Sequence, residues 1–119
     1  MAALERETAN RERLQLWIAF DYGGRAELAD AARGMIAAGL GVDEVDEDVL
    51  AVYLYAPDMP DPDLVIRTSG EQRISNFLLW QLAYSELVFV DTLWPDFGED
   101  ELRRAVAAYA GRRRRFGGR

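Results

Sequence analysis

Apolar and polar residues fall into runs along the chain whose spacing switches between strand-like and helix-like. Residues 1–13 are polar, with Leu4 nearly alone, and read as the exposed end of a helix. Residues 14–20 (Leu-Gln-Leu-Trp-Ile-Ala-Phe) are mostly apolar and rich in strand formers, the pattern of a strand buried on both faces. Asp21-Tyr22-Gly23-Gly24 is a turn signal. From Arg25 onward, Leu28, Ala31, Ala32, Met35, Ile36 and Leu40 mark one helical face, and Gly41 suits the C-terminal cap. Asp46 suits the N-cap of a shorter helix carrying Val49, Leu50, Tyr53 and Leu54. Pro57, Pro60 and Pro62 then enforce an extended connection.

Residues 63–67 predict a second short buried strand, and residues 68–74 a polar loop. Residues 75–84 predict a helix that is apolar nearly all round and therefore interior. Residues 87–90 predict a third strand. The turn Trp94-Pro95-Asp96-Phe97 leads into a last helix with Leu102, Ala105, Val106 and Tyr109 on one face. Strands alternating with helices predict an α/β fold, with a mainly parallel sheet and flanking helices. Three strands make a narrow sheet, so a wider one is expected to include them.

Composition changes this picture mainly by what it removes. The chain of 119 residues carries 21 acids and 14 bases, a formal charge of −7, and every base is arginine. It has no cysteine and no histidine. A disulfide scaffold, a thiolate zinc site, and serine–histidine or cysteine–histidine catalysis are thereby excluded within it. Chemistry here runs on carboxylates, hydroxyls, arginines and a bound metal. The acidic total argues against nucleic acid as the main partner. No run of apolar residues is long enough to span a bilayer, and the expectation is a cytoplasmic protein. The arginine run at residues 112–115 reads as a solvated terminus, or as one that touches anionic lipid heads at a membrane surface.

The informative segment is Arg67-Thr-Ser-Gly-Glu-Gln-Arg73-Ile-Ser75. In an open α/β sheet, ligands bind beyond the C-terminal ends of the strands. A loop that leaves a strand and enters a helix presents backbone N–H groups and the positive end of a helix dipole to an anion. Arg67 and Arg73 add two guanidinium forks, Ser75 stands at the expected N-cap, and Gly70 allows close backbone approach. This reads as a phosphate or diphosphate site. The plainer alternative has Ser75 only capping its helix and the arginines paired with neighbouring acids. Glu86 is expected just past a buried helix, where the dipole disfavours an anion. It reads either as the partner of an arginine or as a magnesium ligand, since magnesium often joins one or two carboxylates to phosphates.

The run from Asp63 through Leu87 resembles the long signature of undecaprenyl diphosphate synthases and related cis-prenyltransferases. The resemblance extends to Ile18-Ala-Phe-Asp-Tyr-Gly-Gly-Arg25, Leu93-Trp-Pro-Asp-Phe97 and Arg114-Arg-Phe-Gly-Gly118, and so covers nearly the whole chain in order. It implies that Arg67, Arg73 and Ser75 hold the diphosphate of isopentenyl diphosphate, with Ile74 in the same substrate-binding segment, and that Glu86 binds magnesium. It also implies that Arg115 and Gly117, in an Arg-x-Gly motif, reach the substrate site of a neighbouring subunit in a homodimer. Ser69 replaces a usual glycine, and Trp17 and Asp21 replace usual asparagines.

The family's Met-Asp-Gly-Asn segment, with the aspartate that assists ionisation of the allylic diphosphate, does not occur here. The expectation is therefore that residues 1–119 are the C-terminal portion of one cis-prenyltransferase domain, with no catalytic residue of their own and no activity alone. The rival expectations are a non-catalytic subunit of a two-component prenyltransferase and a phosphate-binding α/β module without turnover.

Overall fold

The computed structural model describes residues 2–112, so Arg115 and Gly117 lie outside the described residues. Helix α1 (Ala2–Thr8) is exposed and followed by an extended segment. Helix α2 (Gly24–Ala37) and the short α3 (Glu47–Val52) pack together. Strand β1 (Leu64–Arg67) pairs in parallel with β2 (Glu86–Phe89), in a register that sets Leu64 beside Glu86 and Arg67 beside Phe89. Helix α4 (Glu99–Ala110) returns against β2. This is the expected α/β class with a parallel sheet and flanking helices.

Local chemistry explains most boundaries. Asp46 caps α3 as expected, its carboxylate accepting from the Val49 N–H at 2.8 Å. The cap of α2 differs from expectation: Gly39, at φ 77°, takes the left-handed position that Gly41 was expected to fill. The Gly39 N–H donates to Ile36 and the Leu40 N–H to Met35, at 3.0 and 3.2 Å, closing a Schellman motif. The buried stripe of α2 is also rotated from the expected one. It runs through Gly24, Glu27, Ala31 and Met35, and leaves Ile36 exposed.

Two expected elements do not form. Residues 14–20 are extended but unpaired among the described residues, with Leu14 78 %, Leu16 75 % and Phe20 87 % exposed. A strand exists only by hydrogen bonding to a neighbour, and among the described residues this segment pairs with neither β1 nor β2. Residues 75–84 form a series of turns in place of a helix, with positive φ at Ser75, Asn76 and Leu78. A ten-residue helix apolar on all sides needs packing all round, because short helices are marginal on propensity alone.

That turned segment is pinned to α2 instead. Its Asn76 accepts from the Gly24 N–H through its carbonyl at 2.8 Å and from the Arg25 N–H through its side chain at 2.9 Å. A Cβ on Gly24 would lie 2.8 Å from Leu79 Cγ, so this approach needs glycine.

The core is correspondingly small: among the described residues, Ala31, Met35, Leu54, Val88 and Ala105 are its buried hydrophobic members. The accessible surface is 9856 Å², against roughly 6,500 Å² for a self-contained domain of this mass. The radius of gyration is 17.1 Å, against about 13.5 Å for a compact domain of this length. Among the described residues, no helix is long and apolar enough to cross a membrane.

Candidate functional site

The C-terminal end of β1 delivers Arg67 directly into a loop that folds back over the end of β2. Ser69 and Gly70 both take left-handed conformations, at φ 68° and 66°. Their N–H groups donate to the Thr92 and Val90 carbonyls, each at 2.9 Å. These two amides, expected to be available to an anion, are thus spent on fixing the loop. A Cβ at Gly70 would sit 3.2 Å from Asp91 Oδ1, so glycine serves here by conformation and by room.

Beyond this turn the loop brings Arg73 back toward Arg67. Both guanidinium groups close on one carboxylate: Glu71 Oε2 accepts from Arg67 and Glu71 Oε1 accepts from Arg73. The bond from Arg67, helped by the charges of both arginines, holds the Glu71 carboxyl below its ordinary range. Arg67 is about one-third exposed and Arg73 two-thirds, so the cluster opens toward solvent on the Arg73 side.

Behind the two arginines lies a cavity of about 220 Å³, lined otherwise by apolar residues including Val65, Ile74, Phe77 and Leu87. The arrangement offers two cationic forks at the mouth of a small apolar recess. An anionic head with a short hydrocarbon body matches that pattern. Ser75 follows immediately but is exposed, and its φ of 49° removes it from an N-cap. The charge available to an anion here comes from side chains, without the helix dipole the sequence pattern implied.

Glu86 is placed elsewhere. It opens β2, three residues along the ladder from the level of Arg67, which is about 10 Å at a strand's rise per residue. Its Oε2 accepts from Arg112 Nη1 at 2.9 Å, and the same nitrogen donates to the Leu87 carbonyl at 2.8 Å. Of the two readings open for Glu86, the arginine pair is the one formed. Among the described residues, no group of three or more Asp, Glu, His or Cys side chains comes together as a metal site.

A second polar cluster lies beneath α2. Glu27 is 1 % exposed and accepts from the Tyr22 hydroxyl, from the Tyr55 N–H at 3.1 Å, and from Gln81 Nε2, which lies 3.3 Å from both of its oxygens. Gln81 is itself 4 % exposed, and its Oε1 has no partner. Burial, then the bond to Glu27, pushes the Tyr22 hydroxyl above its usual range. The Tyr22 ring meets Phe77 edge-on at 5.9 Å, which joins this cluster to the wall of the arginine cavity.

Sequence reasoning missed this cluster, although its signal was present. Glu27, Ala31 and Met35 recur at four-residue spacing, which puts the carboxyl on the buried stripe. Gln81 is the one strongly polar side chain within the apolar run of residues 77–84.

Comparison with known proteins gives the same answer throughout. A family model described as "Putative undecaprenyl diphosphate synthase" matches residues 1–117. An isoprenyl transferase of Fusobacterium nucleatum is 56 % identical over 115 residues, which cover 97 % of this chain and 49 % of that protein. Isoprenyl transferase 1 of Streptomyces coelicolor is 54 % identical over 118 residues, 96 % of this chain and 43 % of the relative. Lavandulyl diphosphate synthase from Lavandula x intermedia, solved in complex with dimethylallyl diphosphate, superposes with a TM-score of 0.91 at 38 % identity, over 98 % of this chain and 52 % of that one. A probable undecaprenyl diphosphate synthase from Campylobacter jejuni superposes with a TM-score of 0.82 at 34 % identity, over 98 % and 53 %. The chain spans about half the length of the curated relatives it matches.

Proposed function

Because the chain belongs to the undecaprenyl diphosphate synthase, or cis-prenyltransferase, family, we propose that it supplies the isopentenyl diphosphate site of an enzyme that makes polyprenyl diphosphate. In that reaction the carbon–oxygen bond of an allylic diphosphate ionises and diphosphate leaves. The alkene of isopentenyl diphosphate attacks the cation, and loss of a proton leaves a cis double bond. The observation that carries the proposal is the meeting of Arg67 and Arg73 on one carboxylate, at the mouth of an apolar recess beyond the end of β1.

In this reading Arg67 and Arg73 hold the diphosphate, with Ile74 against the substrate's hydrocarbon part and Ser75 a further donor when its loop closes. That diphosphate does not leave in the reaction, so the task of these fixed cations is to hold the attacking alkene in place. Retention of both arginines speaks against a purely accessory subunit, which has no use for a diphosphate grip.

The family is generally magnesium-dependent, and the ion's chemistry there is to neutralise a departing diphosphate. The described residues do not by themselves fit a magnesium–diphosphate site. Glu86 is a single carboxylate, held by Arg112, at the far end of the ladder from Arg67. We assign it to the metal only in the whole enzyme, where Arg112 releases it. Arg115 and Gly117 are assigned to the partner's site of a homodimer, and a monomer in sedimentation analysis of the whole enzyme would remove that assignment.

The test is a chimera that joins this chain to the remaining half of the Fusobacterium relative. Given farnesyl diphosphate, radiolabelled isopentenyl diphosphate and magnesium, the chimera is expected to make elongated product and the 119-residue chain none. An inactive but folded chimera sinks the proposal, and product from the chain alone sinks its dependence on the other half. In the same assay Glu86→Gln should shift the magnesium titration to higher concentration. An unchanged titration returns Glu86 to its pair with Arg112.

A further inference from the structure

Glu71 is the one member of the arginine cluster to which the proposed reaction gives no task. It is half-buried in the loop, charged over the physiological range, and engaged by both guanidinium groups at once. A carboxylate with one oxygen on each of two arginines reproduces, within the chain, the contacts that two oxygens of a bound anion would make. A ligand that needs those arginines must therefore displace it.

We propose that Glu71 is an internal place-holder for the diphosphate, and that it sets the affinity an anion must bring to open this site. The inference rests on the diphosphate reading of the site. Three physical points support it. Without a shared carboxylate the two guanidinium charges repel and splay apart, so Glu71 keeps the grip assembled while no ligand is present. The carboxylate is tethered two residues from Arg73 and four from Arg67, so it competes at high effective concentration and needs no new ordering of the chain. A singly charged anion gains no more from the arginines than Glu71 already does. A diphosphate, with more charge and more acceptor oxygens, gains enough to expel it.

The place-holder thus acts as a threshold. It lowers the fraction of molecules open to ligand, and apparent affinity falls by that fraction. Displacement also fits the geometry, because the loop's anchor bonds at Ser69 and Gly70 lie before Glu71 and need not break when it swings outward.

The expected result of Glu71→Gln is a gain of affinity. Two solvent-facing ion pairs of this kind compete weakly, so inorganic pyrophosphate should bind about three- to tenfold more tightly to the variant chain than to wild type. Inorganic phosphate should gain by the same factor, because the open fraction is a property of the chain, so the ratio between the two anions should hold. Glu71→Asp keeps the charge on a shorter arm that cannot span both arginines, and should fall between. Calorimetry on wild type, both variants and Arg67→Ala reads all of this, with circular dichroism to verify the fold.

Unchanged or weaker pyrophosphate binding in Glu71→Gln, with Arg67→Ala still weakening it, overturns the place-holder and leaves the diphosphate site standing. Tighter pyrophosphate binding with a much wider pyrophosphate-to-phosphate ratio reports loss of a nearby repulsive charge and overturns displacement as the cause. Absence of binding in wild type and Glu71→Gln alike, or binding indifferent to Arg67→Ala, overturns the diphosphate reading and this inference with it.

Discussion

Arg67→Ala is expected to weaken pyrophosphate binding by about a hundredfold, and Arg73→Ala by about tenfold. A hydrogen bond to a charged group contributes roughly 1.5–3 kcal/mol, and each 1.4 kcal/mol is a factor of ten in affinity. The two arginines are ranked within that range by exposure. Arg67 is the more enclosed, on the last position of β1 and backed by the apolar cavity, so its field is less screened. Arg73 projects further into solvent from the loop.

A second effect acts in the same direction. In Arg67→Ala the Glu71 carboxylate is left to Arg73 alone, which then has a full-time partner and less to offer a ligand. The two single losses should therefore not add in the double variant, because both work through one shared carboxylate. In the chimeric enzyme the same substitutions should appear mainly as a raised KM for isopentenyl diphosphate. Wild-type KM and kcat in both would remove the site from this loop. A drop in kcat alone would move the arginines from holding the substrate to assisting the chemical step.

The polar make-up of the loop was legible in the sequence because it is local; of the two readings open for its arginines, the structure forms the plainer one, with Arg67 and Arg73 both paired to the neighbouring Glu71. Two arginines, a glycine and a serine within nine residues after a short apolar strand point to an anion wherever the strand ends. Strands β1 and β2 were legible for the same reason, since apolar runs bounded by polar loops pair with each other.

Residues 14–20 and 75–84 were misread because their apolar character reports a need for burial, and this chain does not meet that need by itself. Phe20 has the side chain of a core strand and lies open to solvent. Leu79 has the side chain of an interior helix and packs against Gly24 within a run of turns. Glu27 failed in the opposite sense. A carboxyl on a helix's first turn usually means solvent and a favourable dipole, and only its place in the Ala31–Met35 stripe marks it as interior.

That buried carboxyl carries the second large effect, now on stability. Glu27→Ala is expected to destabilise the chain by about 3–5 kcal/mol, because one side chain satisfies donors from three directions. Its removal leaves Gln81 Nε2 buried without an acceptor, beside an Oε1 that already lacks a partner. It also frees the Tyr22 hydroxyl and the Tyr55 N–H, which are less enclosed and recover part of their loss from water. Each stranded buried donor costs roughly 1–3 kcal/mol, and the partial access of Tyr22 and Tyr55 keeps the total below the full sum.

Domains of this size are stable by only about 5–15 kcal/mol, and this one has few buried apolar residues, so the loss takes up a large share. The melting temperature should fall by roughly 12–20 °C. Glu27→Gln keeps the shape and one acceptor oxygen, and should cost about 1–2 kcal/mol, chiefly by setting a second amide against Gln81. Circular dichroism of the three proteins against temperature and urea reads both values. If Glu27→Ala melts within about 3 °C of wild type, a shift worth less than about 1 kcal/mol, the cluster is not what fastens α2 to the turned segment. The Asn76 bonds to Gly24 and Arg25 would then be the fastening left to test.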